Sequence, residues 1–131
     1  MNDVRITHIG GPTTLIEAEG WRLLTDPTFD APGRRYPFRF GLKLRKLVGP
    51  AIAAADLPSI DAVLLTHDHH ADNLDSAGRE LLPSAGVVVT TVSGAKRLGG
   101  AAIEREFARA PEDIRRSVRW LSVGAEAEIA A

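Results

Sequence analysis

A chain of 131 residues is long enough for one ordinary domain and leaves little room for a second. Its 44% hydrophobic and 25% charged residues are typical of a globular protein with a packed core, and its net charge of −1 gives no bulk attraction to nucleic acid or membranes. Because the sequence contains no cysteine, disulfides and thiolate metal ligands are excluded, so any metal must be bound by His, Asp, Glu or carbonyl oxygens.

The first 25 residues predict an antiparallel meander. Residues 4 to 18 read as two strands around the turn Gly10-Gly11-Pro12, and residues 21 to 25 return as a third strand after Glu19-Gly20. Asp26-Pro27 ends that strand, because proline cannot donate to a β-ladder. The N-terminus has no basic stretch before an apolar run, and no apolar run reaches the ~20 residues of a spanning helix. We therefore expect no transmembrane segment and a soluble cytoplasmic protein.

Residues 28 to 50 are predicted to form a long connection of unusual composition. Basic residues alternate there with aromatic and aliphatic ones, and no acidic residue follows Asp30. Two interpretations stay open: a surface loop whose apolar residues pack beneath it, or a loop at which an anionic phosphate ester or lipid headgroup docks. The basic residues are Arg34, Arg35, Arg39, Lys43, Arg45 and Lys46, and the apolar ones are Tyr36, Phe38, Phe40, Leu42 and Leu44.

The second half of the chain alternates strand and helix patterns. Continuous apolar runs at residues 60–66 and 86–92 are typical of strands buried on both faces. Together with the N-terminal meander, this order predicts a mixed α/β domain with helices packed on the sheet. The other predicted elements are a helix from about Leu74 to Leu82, a short helix at 93–98, a helical turn within 101–117, a strand at 118–123 and a hairpin partner at 124–131.

Three of the four histidines lie within residues 67 to 70, directly after the strand at 60–66. His67 and His69 are separated by one residue, a spacing that points both imidazoles the same way on an extended loop. Two neutral imidazoles with a carboxylate suit Zn²⁺, and Fe(II) or Mn(II) less exclusively. Ligands in α/β folds collect at the carboxyl ends of strands, so this pattern predicts a metal site. The nearby carboxylates are Asp68, Asp72 and Asp75.

A simpler interpretation of the same segment is a solvated polar turn before a helix. Asp72, Asn73 and Asp75 are all favourable residues for capping a helix N-terminus. Capping and metal ligation are compatible when different residues of the segment perform them. Asp26 has a similar alternative, because an Asp-Pro pair is also a common turn sequence.

The segment Thr66-His67-Asp68-His69-His70-Ala71-Asp72-Asn73-Leu74-Asp75 resembles the His-x-His-x-Asp-His signature of the metallo-β-lactamase superfamily. Residues 9–17 and Leu23-Leu24-Thr25-Asp26-Pro27 are similar to the opening hairpins of its ascorbate-6-phosphate lactonase and N-acylphosphatidylethanolamine phospholipase D-like branch. The resemblance covers most of residues 4 to 98. It implies an α/β (α+β) fold that is the N-terminal half of an αββα sandwich, with an antiparallel meander followed by strand–helix units.

The resemblance also implies a metal-dependent hydrolase with one or two zinc ions, or Mn or Fe in their place. Metal-bound hydroxide would attack a lactone, ester or phosphodiester. His67 and His69 would bind the metal, and Asp72 would ligate it or orient the attacking water as a catalytic residue. Five further residues are expected to hold these ligands in position without binding the metal themselves: Asp26, Asp68, His70, Asn73 and Asp75.

The signature departs from the family pattern after His70. In a strict alignment, Ala71 occupies the Asp position and Asp72 the last His position. With one inserted residue, Asp72 recovers the Asp and Asn73 replaces the His, and we prefer this alignment because Asn73-Leu74-Asp75 then continues as the family's His-Leu-Asp does. His70 could substitute, but we expect its side chain to face away from His69. A mononuclear or asymmetric metal site follows as a hypothesis.

The family's remaining ligands come from the second half of its fold, and this sequence has no histidine after residue 70. We therefore expect residues 1–131 to be a single, truncated metallo-β-lactamase-like domain. A complementary C-terminal half or a homo-oligomer would be the alternatives. The expected partner is a small-molecule substrate, anionic if the basic stretch binds it, and not nucleic acid. A catalytically incomplete metal-binding remnant or binding module is the competing function, and nucleic-acid processing is a weaker third.

Overall fold

The computed structural model describes residues 3–99 and 120–122. A six-stranded sheet forms the centre of the fold, with strand order β1-β2-β3-β6-β7-β8, and a separate ribbon pairs β4 with β5. The strands are β1 Val4–Gly10, β2 Thr13–Ala18, β3 Trp21–Thr25, β4 Arg35–Pro37, β5 Lys43–Arg45, β6 Ala62–Leu64, β7 Val87–Thr90 and β8 Trp120–Ser122. The helices are α1 Ser76–Leu81 and α2 Val92–Leu98, and short 3-10 turns occur at Arg39–Gly41, Ala54–Asp56 and Leu82–Ser84.

The sheet changes from antiparallel to parallel at β3. β1, β2 and β3 form the predicted antiparallel meander, whereas β3 pairs parallel with β6, β6 with β7, and β7 with β8. Two parallel neighbouring strands must be joined by a crossover connection. Helix α1 is part of the connection between β6 and β7. The predicted mixed α/β fold, a meander followed by strand–helix units, is confirmed. The predicted helical turn within 101–117 and the hairpin partner at 124–131 lie outside the described residues.

The core lies on one face of this sheet. Leu15, Leu24, Val63 and Val88 are in register across four neighbouring strands, and each is at most 4% exposed. Alternate residues of a strand point to opposite faces, so these four form one apolar row. Residues from the helical half, including Leu74, Leu82 and Leu98, complete the same cluster. Burial of this row holds the ends of β3 and β6 side by side, which is where the predicted metal segment begins.

The connection at residues 28–50 differs from the prediction. Instead of an unstructured loop, it contains the antiparallel ribbon of β4 and β5, in which Arg35 lies opposite Arg45 and Pro37 opposite Lys43. The ribbon's apolar residues do not pack beneath it as the surface-loop interpretation supposed, since Phe38, Phe40, Leu42 and Leu44 are all more than half exposed. Within the described part of the chain, no helix has the length and apolar character needed to cross a membrane.

Candidate metal centre

The predicted metal segment begins where β6 ends, beside the end of β3. Because β3 and β6 are parallel, their carboxyl ends meet at the same edge of the sheet. The backbone N–H of Asp26 donates to the carbonyl oxygen of Leu64 at 3.0 Å, which fixes the two strand ends together. Asp26 follows β3 and Thr66-His67 follows β6, so chain segments forty residues apart form one site.

The Asp26 carboxylate is buried beneath the histidine segment, with 5% of the residue exposed. Its Oδ1 accepts from the backbone N–H of Thr66 at 2.7 Å, and both of its oxygens accept from the Thr66 hydroxyl at 3.0 Å. Asn73 Nδ2 donates to Oδ2 at 3.3 Å. The backbone of Asp26 has a φ of 29°, which is unusual for a non-glycine residue. This carboxylate therefore hydrogen-bonds to both ends of the histidine loop, at Thr66 and at Asn73. A simple Asp-Pro turn would need neither bond.

The hydrogen bonds of Thr66 determine the tautomer of His67. A hydroxyl donates one hydrogen bond and accepts two, and an ionised carboxylate only accepts. The Thr66 hydroxyl therefore donates to Asp26 and must accept from Asn73 Nδ2, at 3.1 Å, and from His67 Nδ1, at 3.0 Å. The proton of a neutral His67 then lies on Nδ1, which leaves a lone pair on Nε2. A metal ligand needs such a lone pair, and hydrogen bonding of the other ring nitrogen is the usual way to fix it.

Three imidazoles lie together on this loop. The ring centroid of His67 is 5.2 Å from that of His69 and 5.3 Å from that of His70. The His69 and His70 centroids are 4.4 Å apart. The expectation that His70 faces away from His69 is therefore wrong, because the tight turn after Asp68 brings successive rings to the same side. His67 is half-buried, while His69 and His70 are exposed.

Asp72 does not join the imidazoles in a preformed ligand set. It is exposed on the turn that follows His70. In residues 3–99 and 120–122, no group of three or more His, Asp or Glu side chains is placed to hold a metal ion. The donors present nevertheless fit a divalent transition metal in kind, since His67 offers a lone pair on Nε2 and two further imidazoles adjoin it. His67 and His69 are the residues that would hold it.

Asp68 is held by an arginine that the sequence did not single out. Arg97, on α2, places its guanidinium against the Asp68 carboxylate, with Nε 2.8 Å from Oδ2 and 3.1 Å from Oδ1. Arg79, on α1, donates to the Asp68 carbonyl oxygen at 3.1 Å. The hydrogen bond from Arg97 holds the pKa of Asp68 below its usual range, although burial acts to raise it. Asp68 therefore anchors the loop to both helices while its neighbours carry the imidazoles.

Asp75 caps helix α1, as one interpretation of the sequence predicted. Its Oδ1 accepts from the backbone N–H of Gly78 at 2.8 Å and from that of Phe29 at 2.9 Å. Its Oδ2 accepts from the backbone N–H of Asp30 at 2.6 Å and lies 3.3 Å from Lys46 Nζ. Asp75 is 2% exposed, so these bonds satisfy a buried carboxylate. It joins the loop after β3 to α1.

An open cavity of about 610 Å³ borders the histidine loop between the β4–β5 ribbon and α1. Three arginines, Arg34, Arg35 and Arg79, line it together with Tyr36. Ala71 and Leu74, at the end of the histidine loop, form another part of the wall. Two carboxylates, Asp75 and Glu80, also line it, so three arginines face two acids at the end of the histidine loop.

The chain is similar to a few known proteins, in sequence over part of its length and in fold over most of it. No family model matches the chain. Uncharacterised proteins of Mycobacterium bovis and Mycobacterium tuberculosis are 33% identical to it over 79 residues, covering 53% of this chain and 18% of their own length. The match therefore spans less than a fifth of these relatives.

Two solved structures are similar over most of the chain. One, described as a possible metal-dependent hydrolase from Veillonella parvula, has a TM-score of 0.66 at 19% identity, covering 98% of this chain and 45% of its own. The other, an isothiocyanate hydrolase from Delia radicum gut bacteria, has a TM-score of 0.61 at 23% identity, covering 89% of this chain and 41% of its own. The chain thus has the fold of somewhat less than half of each of these proteins, consistent with half of a sandwich.

Proposed function

We propose that this chain is part of a metal-dependent hydrolase of the metallo-β-lactamase superfamily, in the lactonase and phospholipase D-like branch. The observation that carries the proposal is the hydrogen-bonded series from Asp26 through Thr66 to His67 Nδ1, which leaves His67 Nε2 free at a strand edge. The fold shared with two proteins named as hydrolases supports it. Such a protein would use zinc, or Mn or Fe in its place, and we propose a cytoplasmic location.

Each residue of the loop has a role in this proposal. His67 and His69 hold the metal, Asp26 orients His67 through Thr66, and Asp72 is the third ligand or the residue that orients water. A bound divalent metal supplies Lewis-acid activation of water and polarises the scissile carbonyl or phosphoryl group. The arginine-lined cavity beside Ala71 and Leu74 suits a small anionic substrate, such as a phosphorylated lactone or a phosphodiester.

The experiment is hydrolysis of a substrate panel by the intact protein. The panel contains lactones, carboxylic esters, phosphodiesters and an isothiocyanate, and the protein is assayed metal-free and after loading with zinc, Mn or Fe. We expect turnover of at least one class that depends on metal and is lost in His67→Gln and His69→Gln. His8→Gln is the matched control, because the fourth histidine lies on β1, where Nε2 is 2.9 Å from the Gly11 carbonyl oxygen.

A second function is favoured by one observation, the absence of a three-ligand group among the described residues. A protein that keeps His67 and His69 without further ligands would bind a metal and catalyse nothing. Zinc binding that His67→Gln abolishes, together with no turnover of any substrate at any metal loading, would support this binding module and contradict the hydrolase.

A further inference from the structure

The ribbon of β4 and β5 with its flanking residues, 34–48, carries most of the exposed apolar surface of the described chain. Eight large hydrophobic residues are exposed in the described part of the chain, and six of these eight lie between residues 38 and 48. Phe40 is the most exposed at 97%, followed in this segment by Leu47 at 81% and Val48 at 79%. Scattered exposed apolar residues are ordinary, but a contiguous group of this kind marks an interaction surface.

The base of the ribbon is fixed to the domain by buried acids. The Tyr36 hydroxyl donates to Asp30 Oδ2 at 2.8 Å, and Lys46 Nζ lies 3.3 Å from Asp75 Oδ2. Arg34 Nε is 3.5 Å from the same oxygen of Asp30. Tyr36 is the cross-strand partner of Leu44, and Lys46 lies two residues beyond Leu44, so the side chains of Tyr36 and Lys46 share the face that contacts the domain. The ribbon is therefore held in one orientation.

The opposite face of the ribbon is cationic. Arg35 lies directly opposite Arg45, and Lys43 opposite Pro37. Like charges in cross-strand positions destabilise a ribbon, so an anion bound between them would remove that cost. No acidic residue occurs from 31 to 55. Within the described residues, no carboxylate forms an ion pair with Arg35, Arg39, Lys43 or Arg45.

The tip of the ribbon presents its apolar residues to solvent. The turn Arg39–Gly41 contains Phe40 at φ 59° and ψ 33°, a left-handed conformation that a bulky aromatic residue rarely adopts. Phe38 and Leu42, on either side of this turn, are 53% and 63% exposed. Strained backbone conformations of this kind persist at binding and switching segments. The strain here positions an aromatic ring at the outermost point of the ribbon.

We propose that the ribbon docks on an anionic phospholipid surface. The ribbon enters by its tip, so that Phe38, Phe40 and Leu42 reach the boundary between headgroups and acyl chains. The cations behind the tip, Lys43, Arg45 and Arg35, then lie at the level of the lipid phosphates. Stable peripheral binding needs an apolar insertion and a basic patch together, and this ribbon supplies both. Nucleic acid would leave Leu42, Leu47 and Val48 in water, and the protein as a whole has a net charge of −1. This inference does not depend on the proposed hydrolase activity.

Vesicle binding by the intact protein tests the proposal. The protein is sedimented with phosphatidylcholine vesicles and with vesicles that also contain phosphatidylserine, at low and high salt. We expect binding to the anionic vesicles, weakened by salt because part of the attraction is electrostatic. Phe40→Asn should lower the partition coefficient at least about tenfold, because burial of an aromatic ring is lost. Asparagine tolerates a positive φ, so the turn itself is preserved.

Arg45→Gln should lower partitioning about fivefold, the effect of one cation near an anionic surface. A matched control lies outside the ribbon: Lys96→Gln removes an exposed cation on α2. This variant should bind as the unchanged protein does. Equal binding to neutral and anionic vesicles, or an equal loss in the control, would overturn the proposal.

The ribbon could instead be covered by a second copy or by another part of the protein. In that case the intact protein would not bind vesicles, and Phe40→Asn would change its solution mass or lower its Tm. Light scattering and thermal unfolding of the same variants distinguish these results from membrane docking, which predicts an unchanged mass and Tm in the absence of lipid.

Discussion

The hydroxyl of Thr66 is the smallest group on which the proposed site depends. It donates to Asp26 and accepts from His67 Nδ1, so its loss frees the imidazole to rotate and to change tautomer. Thr66→Val keeps the shape of the side chain and removes these bonds. We expect zinc affinity to fall about 10- to 100-fold, the usual effect of losing a partner of a metal-bound histidine. Competition with a fluorescent chelator measures this affinity.

The tautomer of His67 gives a readout that is independent of metal. Long-range ¹H–¹⁵N spectra of the metal-free protein should show the proton of neutral His67 on Nδ1, and Thr66→Val should yield a mixture of tautomers. Thr66→Ser, which keeps the hydroxyl, should restore both the tautomer and the affinity. A proton found on Nε2 in the unmodified protein would contradict the hydrogen-bond assignment at Thr66.

At the scale of secondary structure, helix α1 packs closely against the turn that follows β3. A Cβ at Gly78 would lie 1.8 Å from the carbonyl oxygen of Pro27, far inside van der Waals contact. In an exposed helix, glycine to alanine stabilises by about 1 kcal/mol. Here, overpacking of about 1–3 kcal/mol or more outweighs that gain, because backbone on both sides must move. We expect Gly78→Ala to lower the free energy of unfolding in urea.

Gly78→Ala should also weaken zinc binding, because the displaced backbone of Pro27 directly follows Asp26. Glu80→Ala, an exposed change on the same helix, should alter neither stability nor zinc affinity beyond about 0.5 kcal/mol. If Gly78→Ala proved as stable as the unmodified protein, then the contact between α1 and Pro27 could not be as tight as described.

The ribbon is coupled to the domain through a carboxylate whose charge depends on pH. Burial acts to raise the pKa of Asp30, but the N–H of Ala77, the Tyr36 hydroxyl and Arg34 together hold this pKa below its usual value. A carboxyl with a lowered folded-state pKa contributes stability above its unfolded pKa of about 4, and this contribution is lost as the pH falls through the folded value.

Tyr36→Phe removes one donor to Asp30 and should lower the free energy of unfolding by about 1 kcal/mol at neutral pH. The difference between the two proteins should narrow below about pH 4, as Asp30 becomes protonated. The difference should hold up to about pH 10 and shrink above it. Burial and the adjacent Asp30 raise the pKa of Tyr36 in the folded protein well above its usual value, so at higher pH ionisation of this tyrosine favours the unfolded chain. Urea unfolding across this pH series is the measurement, and a difference that is constant into strong acid would contradict the coupling.

Local patterns predicted most of the elements that the structure describes. The β-rich runs of β1 and β2, the apolar run of β6 and the cap at Asp75 are signals within a few residues, and each of these elements appears in the structure. The alternation of Val4 and Ile6 with polar residues does not give alternating burial, since both side chains are exposed. The β4–β5 ribbon was missed because each of its strands is only three residues long and because Phe40, as well as the glycine Gly41, has a positive φ in its turn. Arg97 was missed because its pairing with Asp68 joins residues 29 apart, which no local pattern encodes.

At the scale of the whole molecule, the described six-stranded sheet has one face that is covered throughout and one that is covered only in part. Leu15, Leu24, Val63 and Val88 are nearly inaccessible on the first face, whereas on the second Ile16 and Leu23 are only half-buried beside the buried Ala62 and Val87. Half-buried apolar residues on the second face are what one half of a two-sheet sandwich presents to the other half. The similar solved structures are more than twice as long as the part that this chain matches, in agreement with that arrangement.

The charges around the loop favour one metal ion over two. A second ion would need ligands beside His70. Asp68 is paired with Arg97 and Asp75 is enclosed by backbone N–H groups, so the histidine loop offers Asp72 alone as a further carboxylate, and the proposed first site already uses it. Asn73 stands where the superfamily signature places a histidine, and its amide nitrogen donates to Asp26 and Thr66. Only the amide oxygen of Asn73 remains for a cation, and a neutral amide oxygen is a weaker ligand for zinc than the imidazole it replaces, so the second position is the poorer one.

We therefore expect one tightly bound zinc equivalent per chain in the intact protein, measured by elemental analysis after dialysis against a weak chelator. His67→Gln should reduce this to near zero, and His8→Gln should leave it unchanged, since His8 lies on β1 away from the loop. Two equivalents that resist the same dialysis would show that residues beyond those described complete a second site, and the mononuclear hypothesis would then be wrong.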